Sequence, residues 1–239
     1  MKRLTLTATI TALALTLGAC SSSGSADAPV KPLDDAGEKL AMERFSTFKD
    51  DLKSLRSYHA TGTVDADDGT QTTDFTFDRQ KDAFKGAASI DSGSLDLSIE
   101  LIRTSGLLWI KGPEEYWESF GYDATPALGK YVVFQAAQGD QIAKTYDYDR
   151  LVSTVESMST GEVTVEGEVE VKDSESIRYM LGEEGRSTLL DLPAGGDIST
   201  ATLVSRADDV DATIVIDEFD VETDVSAPDP DEVTQPQGS

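Results

Sequence analysis

Hydrophobic positions along the chain change period at Ser57. Between Asp34 and Arg56, Ala41, Phe45, Phe48, Leu52 and Leu55 step by 4, 3, 4 and 3, which makes one apolar stripe on a helix. Asp34 or Asp35 caps its N-terminus, where acids also suit the helix dipole. After Ser57 the period falls to 2. Tyr58 to Asp65 reads as a strand, Asp67 to Thr70 as a hairpin turn and Thr73 to Arg79 as its partner, with Phe75 and Phe77 opposite Asp74, Thr76 and Asp78. Phe84 to Ile90 follows. The most regular strand comes next, with Leu95, Leu97, Ile99 and Leu101 alternating with Asp96, Ser98 and Glu100. Leu107 to Lys111 makes another, stopped by Gly112 and Pro113.

The second half repeats the theme. Glu115 to Phe120 and Lys130 to Gln135 are aromatic-rich, and Gly112 to Trp117 reads as strand-turn-strand with Trp117 buried, the alternative being a sugar-stacking aromatic beside an acid. A short helix is expected between Asp147 and Met158, because Leu151, Val155 and Met158 share a face. Glu162 to Lys172 alternates valine with acid, and Gly167 in its middle predicts a bulge or bend. Ser176 to Leu181, Ser187 to Leu192 and Thr200 to Arg206 are further strands. Val210 to Val221 changes phase between Ile216 and Phe219, which predicts another bulge. Residues 227–239 read as an irregular or disordered tail.

About ten alternating strands with mostly short turns imply antiparallel pairing with one wet and one dry face. Two helices are too few for repeated βαβ units. The expected class is α+β, a strongly curved antiparallel sheet with helices packed on its concave side. Residues 34–226 form one domain, large enough for a substantial core.

The N-terminus changes the picture. Lys2 and Arg3 precede an uncharged apolar run from Leu4 to Leu17, then Gly18, Ala19 and Cys20. A basic start, a short apolar run and small residues before a cut site make a secretory signal, and the run is too short for a permanent membrane span. Leu17-Gly18-Ala19-Cys20 resembles a bacterial lipobox, which implies that residues 1–19 are removed and that Cys20 carries diacylglyceryl and palmitoyl groups. The alternative is an ordinary signal peptide with a chance cysteine. Residues 20–33 then comprise the lipidated cysteine and a flexible Ser-, Ala-, Gly- and Pro-rich tether. Residues 1–19 carry two bases and no acid, so their removal moves the formal net charge from −25 to −27. So acidic a chain does not rely on bulk attraction to nucleic acid or anionic lipid. It is expected at the extracytoplasmic face of the cell membrane, held there by acyl chains.

Candidate chemistry is sparse. Cys20 is the only cysteine and His59 the only histidine, so Ser-His and Cys-His nucleophiles and thiolate zinc sites lack their parts. Asp65-Ala66-Asp67-Asp68-Gly69 begins like a calcium loop, but Thr76 stands where the bidentate Glu belongs, and a hairpin turn explains the run. Gly182 to Gly185 and Gly195-Gly196 lack the lysine and spacing of a phosphate loop. Carboxylate pairs for glycoside hydrolysis have too many candidates among 45 acids to single any out. No catalytic residue, metal or cofactor is expected.

Several spaced features carry a resemblance. After the lipobox, tether and helix come Ser57-Tyr58-His59-Ala60-Thr61-Gly62, then Leu108-Trp109-Ile110-Lys111-Gly112-Pro113, Tyr116-Trp117 and Gly129-Lys130-Tyr131-Val132. A short helix at Arg150 to Ser157 and the ending Phe219, Val221, Ala227-Pro228 complete the order. Across most of residues 36–230 the chain resembles the actinobacterial lipoproteins of the LppX and LprG type, with a LolA-like fold; Glu183 to Gly196 departs from their pattern. The resemblance implies a half-barrel holding an acylated lipid or lipoglycan between sheet and helices, and a role in carrying it outward from the plasma membrane, with a membrane exporter as a possible partner.

Physical chemistry supports such a role separately. A 16-carbon chain forfeits roughly 12 kcal/mol in water, at about 0.8 per methylene, so an unaided aqueous crossing is slow. The candidate lining is Phe45, Phe48 and Leu52 from the helix, with Phe75, Phe77, Leu95, Leu97, Ile99, Leu101, Trp109 and Trp117. Each has a closed core as its alternative. The competing function is a non-transporting surface module, binding a protein or cell-wall polymer through its acidic face. A monomer is expected in either case.

Overall fold

The computed structural model describes residues 28–93, 95–144, 152–153, 155–157, 161–182, 188–207 and 210–234. Helix α1 spans Asp35–Ser54, and Asp34 caps it by accepting a 2.8 Å hydrogen bond from the Gly37 amide. Its buried residues are Ala41, Phe45, Phe48 and Leu52, the apolar stripe read from the sequence.

The first meander contains β1 (Ser57–Ala66), β2 (Gly69–Asp78), β3 (Ala83–Asp91), β4 (Asp96–Thr104), β5 (Leu107–Lys111) and β6 (Tyr131–Phe134). Helices α2 (Glu114–Ser119) and α3 (Ala136–Ala143) flank β6 in the chain. The second meander contains β7 (Val163–Val171), β8 (Ser174–Leu181), β9 (Thr188–Pro193), β10 (Ala201–Ala207) and β11 (Val210–Asp217). A short β12 (Val233–Thr234) closes the order. All described strands join one sheet, β12-β6-β5-β4-β3-β2-β1-β11-β10-β9-β8-β7. Pairing is antiparallel throughout, except for parallel β12 against β6. The two meanders therefore meet at the β1–β11 seam, and β12 and β7 are the unclosed edges. One apolar cluster gathers side chains from α1 and both meanders, which requires the sheet to curve around the helix.

Some expectations change in detail. Glu114–Ser119 is a helix rather than a strand: Pro113 enters it in extended geometry, and Glu114 and Glu115 occupy its first turn, where acids favour the dipole. Helix α3 is not among the expected elements, and Gly139 lets it approach β5, since a Cβ there would lie 3.1 Å from Leu108 Cβ. The bulge at Gly167 is present, with a register shift between Val165 and Gly167. Gly167 has φ +142, and a side chain there would strike the Lys31 carbonyl, whose strand-like segment bridges Glu168. The phase change after Ile216 is a strand end, not a bulge. Glu218 and Asp220 turn with positive φ, and Asp220 takes the Arg56 amide at 2.6 Å while donating its own amide to the Ser57 carbonyl.

The tail is irregular through Asp229, then forms a 3-10 turn at Pro230–Glu232 and β12. Val152, Ser153 and Val155 to Ser157 are helical; the rest of the helix expected there lies outside the described residues. So do the signal segment, Cys20 and most of the tether. No helix among the described residues is long and apolar enough to cross a membrane.

Candidate functional site

Strand alternation builds an apolar inner face. In the first meander it carries Phe75 and Phe77, then Phe84, then Leu97, Ile99 and Leu101, then Leu108 and Ile110, and finally Val132 and Phe134. In the second it carries Ile177, Tyr179 and Leu181, Leu190 and Leu192, Leu203, Ile214 and Ile216. The first meander is rich in rings. Tyr58 stacks on Phe77 at 4.7 Å, and Phe75 and Phe84 meet edge-on at 5.7 Å.

Helix α1 lies over this face and is held through side chains. The Phe45 ring sits 5.4 Å from that of Tyr179, whose hydroxyl donates to the Ala41 carbonyl at 2.8 Å. Burial pushes the Tyr179 phenol up to about 12, so it stays a proton donor. Arg44 donates to the Gly195 and Gly196 carbonyls at 3.2 and 3.1 Å. At the far end Arg79 donates to the Lys53 carbonyl. Phe48, Leu101, Ile110, Tyr179, Leu190, Leu192 and Ile216 have no surface that water reaches, so the face is close-packed around them.

Nine of the eleven apolar residues chosen from the sequence meet in the inner cluster: Phe45, Phe48, Leu52, Phe75, Phe77, Leu97, Ile99, Leu101 and Trp117. Trp117 arrives on α2, with Nε1 donating to the Gly112 carbonyl at 3.1 Å and its ring parallel to Phe134. Two are placed elsewhere. Trp109 alternates with Leu108 and Ile110, which point inward, so its ring lies on the outer face with Ile102, Tyr131 and Val133. Leu95 falls before β4 on the β3–β4 turn and is 41% exposed. Sequence reading missed Phe84 and Tyr179, although each sits at an inward position of its strand.

A cavity of about 410 Å³ opens where the β2–β3 turn, β4 and α3 converge. Phe77, Ala83, Phe84 and Ala143 supply its apolar wall, and Asp78, Arg79, Asp82, Arg103, Asp140 and Lys144 its polar rim. Arg103 donates to Asp140 at 2.8 Å and to Asp82 at 3.1 Å. Asp78 accepts from Thr223 Oγ1 at 2.6 Å and pairs with Lys81 Nζ at 2.8 Å. Burial alone would raise its pKa, but these partners outweigh it and hold the carboxyl below its ordinary value. A second cavity of about 400 Å³ lies beside α1, between Arg44, Asp51, Ile198 and Phe219.

On the outer face His59 stands between two carboxylates at the seam, with Nδ1 2.8 Å from Asp217 and Nε2 3.0 Å from Asp74. Among the described residues no three His, Cys, Asp or Glu side chains are grouped to hold a metal ion.

No protein-family model matches the chain, and no curated protein matches it. Among solved structures it is similar to LprF from Mycobacterium bovis, at 15% identity and a TM-score of 0.49, with 86% of this chain and 99% of that one covered. It is also similar to the Mycobacterium tuberculosis lipoprotein LppX, at 11% identity and a TM-score of 0.45, covering 81% of this chain and all of the other. A further similarity is to an uncharacterised conserved protein from Thermus thermophilus, at 14% identity and a TM-score of 0.38, covering 82% of this chain and 99% of that one.

Proposed function

We propose that this chain is an extracytoplasmic, lipid-anchored protein that binds an acylated lipid or lipoglycan between sheet and α1 and carries it outward from the plasma membrane. The observation that carries the reading is the construction of the inner face: an unclosed sheet, apolar across both meanders, covered by α1, which side chains hold in place, with Trp117 of α2 beside it. Such a cover can leave without breaking the sheet's hydrogen bonds. The close packing around Phe48 and Leu190 means that loading requires α1 to move, with acyl chain replacing helix side chains against the same surface. Chemistry by the protein itself forms no part of this reading, and acceptor or exporter contacts would follow loading.

The close packing also favours the second reading, a surface module with a permanently filled interior that binds partners through acidic side chains. Native mass spectrometry of the chain from its own secretion pathway, followed by solvent extraction and lipid analysis, separates the two. Near-stoichiometric acylated lipid is the expected result. A ligand-free mass, with no uptake of a fluorescent acyl probe, would move the assignment to the surface module.

A further inference from the structure

Charge and shape at the β2–β3 end of the first meander point to a more specific ligand chemistry, one that rests on the acyl-binding reading above. We propose that the cavity walled by Phe77 and Phe84 seats the anionic head of an amphiphile, a carboxylate or phosphate borne on an acyl chain.

The carboxylates around this cavity already have cations or donors. Asp82 and Asp140 accept from Arg103, and Asp78 accepts from Thr223 and pairs with Lys81. Arg79, Arg103 and Lys144 line the cavity with Asp78, Asp82 and Asp140. Arg103 serves two of those carboxylates and Lys81, from beside the cavity, serves the third, so Lys144 is left over as a cation. In a chain of net charge −25, a cation left over at a concave site is informative. Lys144 caps the C-terminus of α3, faces the cavity and makes no ion pair with any described residue. A cation at a helix C-terminus has a purely structural use in offsetting the dipole. The apolar wall beside it has no part in that use.

That wall continues inward. The Phe77 ring lies 5.9 Å from Phe84 and 6.0 Å from Phe75, and all three belong to the inner cluster. A ligand held by its head at Lys144 would thus enter the sheet's apolar face with its first methylenes against rings. The volume of about 410 Å³ falls within the range of roughly 300–1,000 Å³ typical of small-molecule sites. A rim charge and an apolar wall together select an amphiphile over a free inorganic anion.

The test uses the full chain and two fluorescent probes of equal length, anthroyloxy-labelled palmitate and its uncharged methyl ester. Hydrogen bonds to a charged group predict about tenfold tighter binding of the acid than of the ester. In Lys144→Glu that gap closes to about twofold or less while ester affinity holds, and Arg79→Gln narrows it further. Circular dichroism melts confirm that both variants fold, and Lys144→Arg should restore the gap. Competition by dipalmitoyl phosphatidate and by palmitate then distinguishes a phosphate from a carboxylate head. If ester and acid bind equally to the unmodified chain, the anionic seat is overturned and acyl binding stands. If neither probe binds, the acyl-binding reading falls and takes this inference with it.

Discussion

The two meanders cover the same helix in different ways. The second lays aliphatic side chains against it: Leu181, Leu190, Leu192 and Ile216 are almost or wholly without exposed surface. It also fastens the N-terminal half of α1, through Tyr179 and the glycine carbonyls after β9, while Arg79 of the first meander fastens only the far end. The first meander lays rings in that place, from Tyr58, Phe75, Phe77, Phe84 and Phe134, and a cavity opens at its end. The rings of the first meander meet stacked, tilted and edge-on, and the cavity opens beside Phe77 and Phe84. The outer faces differ too. Behind the second meander Arg178 and Asp191 form a fully buried pair at 2.8 Å, while behind the first the Trp109 cluster packs against Val233 of β12. The second half of the sheet thus fastens the N-terminal part of α1, while space opens both beside that helix, at Ile198 and Phe219, and at the ring-rich end of the first meander.

The largest expected effect breaks the holding half from behind. Arg178→Met leaves Asp191 buried without its charge partner and should cost about 3–5 kcal/mol in urea unfolding. The double variant Arg178→Met with Asp191→Leu should recover most of that. A single-variant cost below about 1 kcal/mol would show that this half is less rigid than its burial implies. Next, Leu190→Ala should cost near the upper end of about 2–5 kcal/mol, more than Phe84→Ala, because its close-packed surroundings have little room to collapse. Phe84→Ala adjoins space that already exists, so its loss should fall toward the lower end of about 3–5 kcal/mol. Both are read from the same denaturation series, and a reversal of that contrast would remove the packing distinction.

Tyr179→Phe is a smaller and more pointed change. Losing the hydrogen bond to Ala41 should cost about 0.5–1.5 kcal/mol and speed hydrogen exchange in the N-terminal half of α1. Acyl-probe uptake should accelerate with it. Faster exchange without faster uptake would show that this fastening does not gate loading.

The smallest effect lies at the seam. Burial alone would lower the His59 pKa, but hydrogen bonds to Asp74 and Asp217 and their charges outweigh it and hold it above the ordinary 6.5. The folded state therefore keeps the proton longer than the unfolded chain. Its contribution is complete below about pH 6.5 and is lost as pH rises through the folded value. His59→Gln should be less stable than the unmodified chain in mildly acid buffer, with the two converging as pH rises. A pH-independent difference would mean that His59 acts through packing alone.

Much of this was legible before the fold. The 4-3-4-3 stripe of α1 came from the spacing of its apolar residues, four of them buried within the helix, and the inward sets Phe75/Phe77 and Leu97/Ile99/Leu101 came from alternation. Period reports which residues share a face. It does not report which face is inside when both carry apolar side chains, and that is why a reading by period puts Trp109 in the lining. Its strand reads Leu-Leu-Trp-Ile-Lys, apolar on both sides, and only the pairing of β5 between β4 and β6 turns Leu108 and Ile110 inward. Helix α3 escaped notice because its segment Ala-Ala-Gln-Gly-Asp-Gln-Ile-Ala is only eight residues long, too short for a period to be read over a glycine, and packing on β5 stabilises it.

The sequence by itself determined most of the elements, the dry face of most strands and the capped helix, because these depend on neighbours a few positions apart. Only the tertiary structure decided that β11 pairs with β1, joining two meanders into one curved sheet. It alone brought Arg79, Arg103 and Lys144 around Phe77 and Phe84, and set Arg178 against Asp191. Arg79, Arg103 and Lys144 sit on different elements, and each of these meetings follows from register and curvature, which no local pattern encodes.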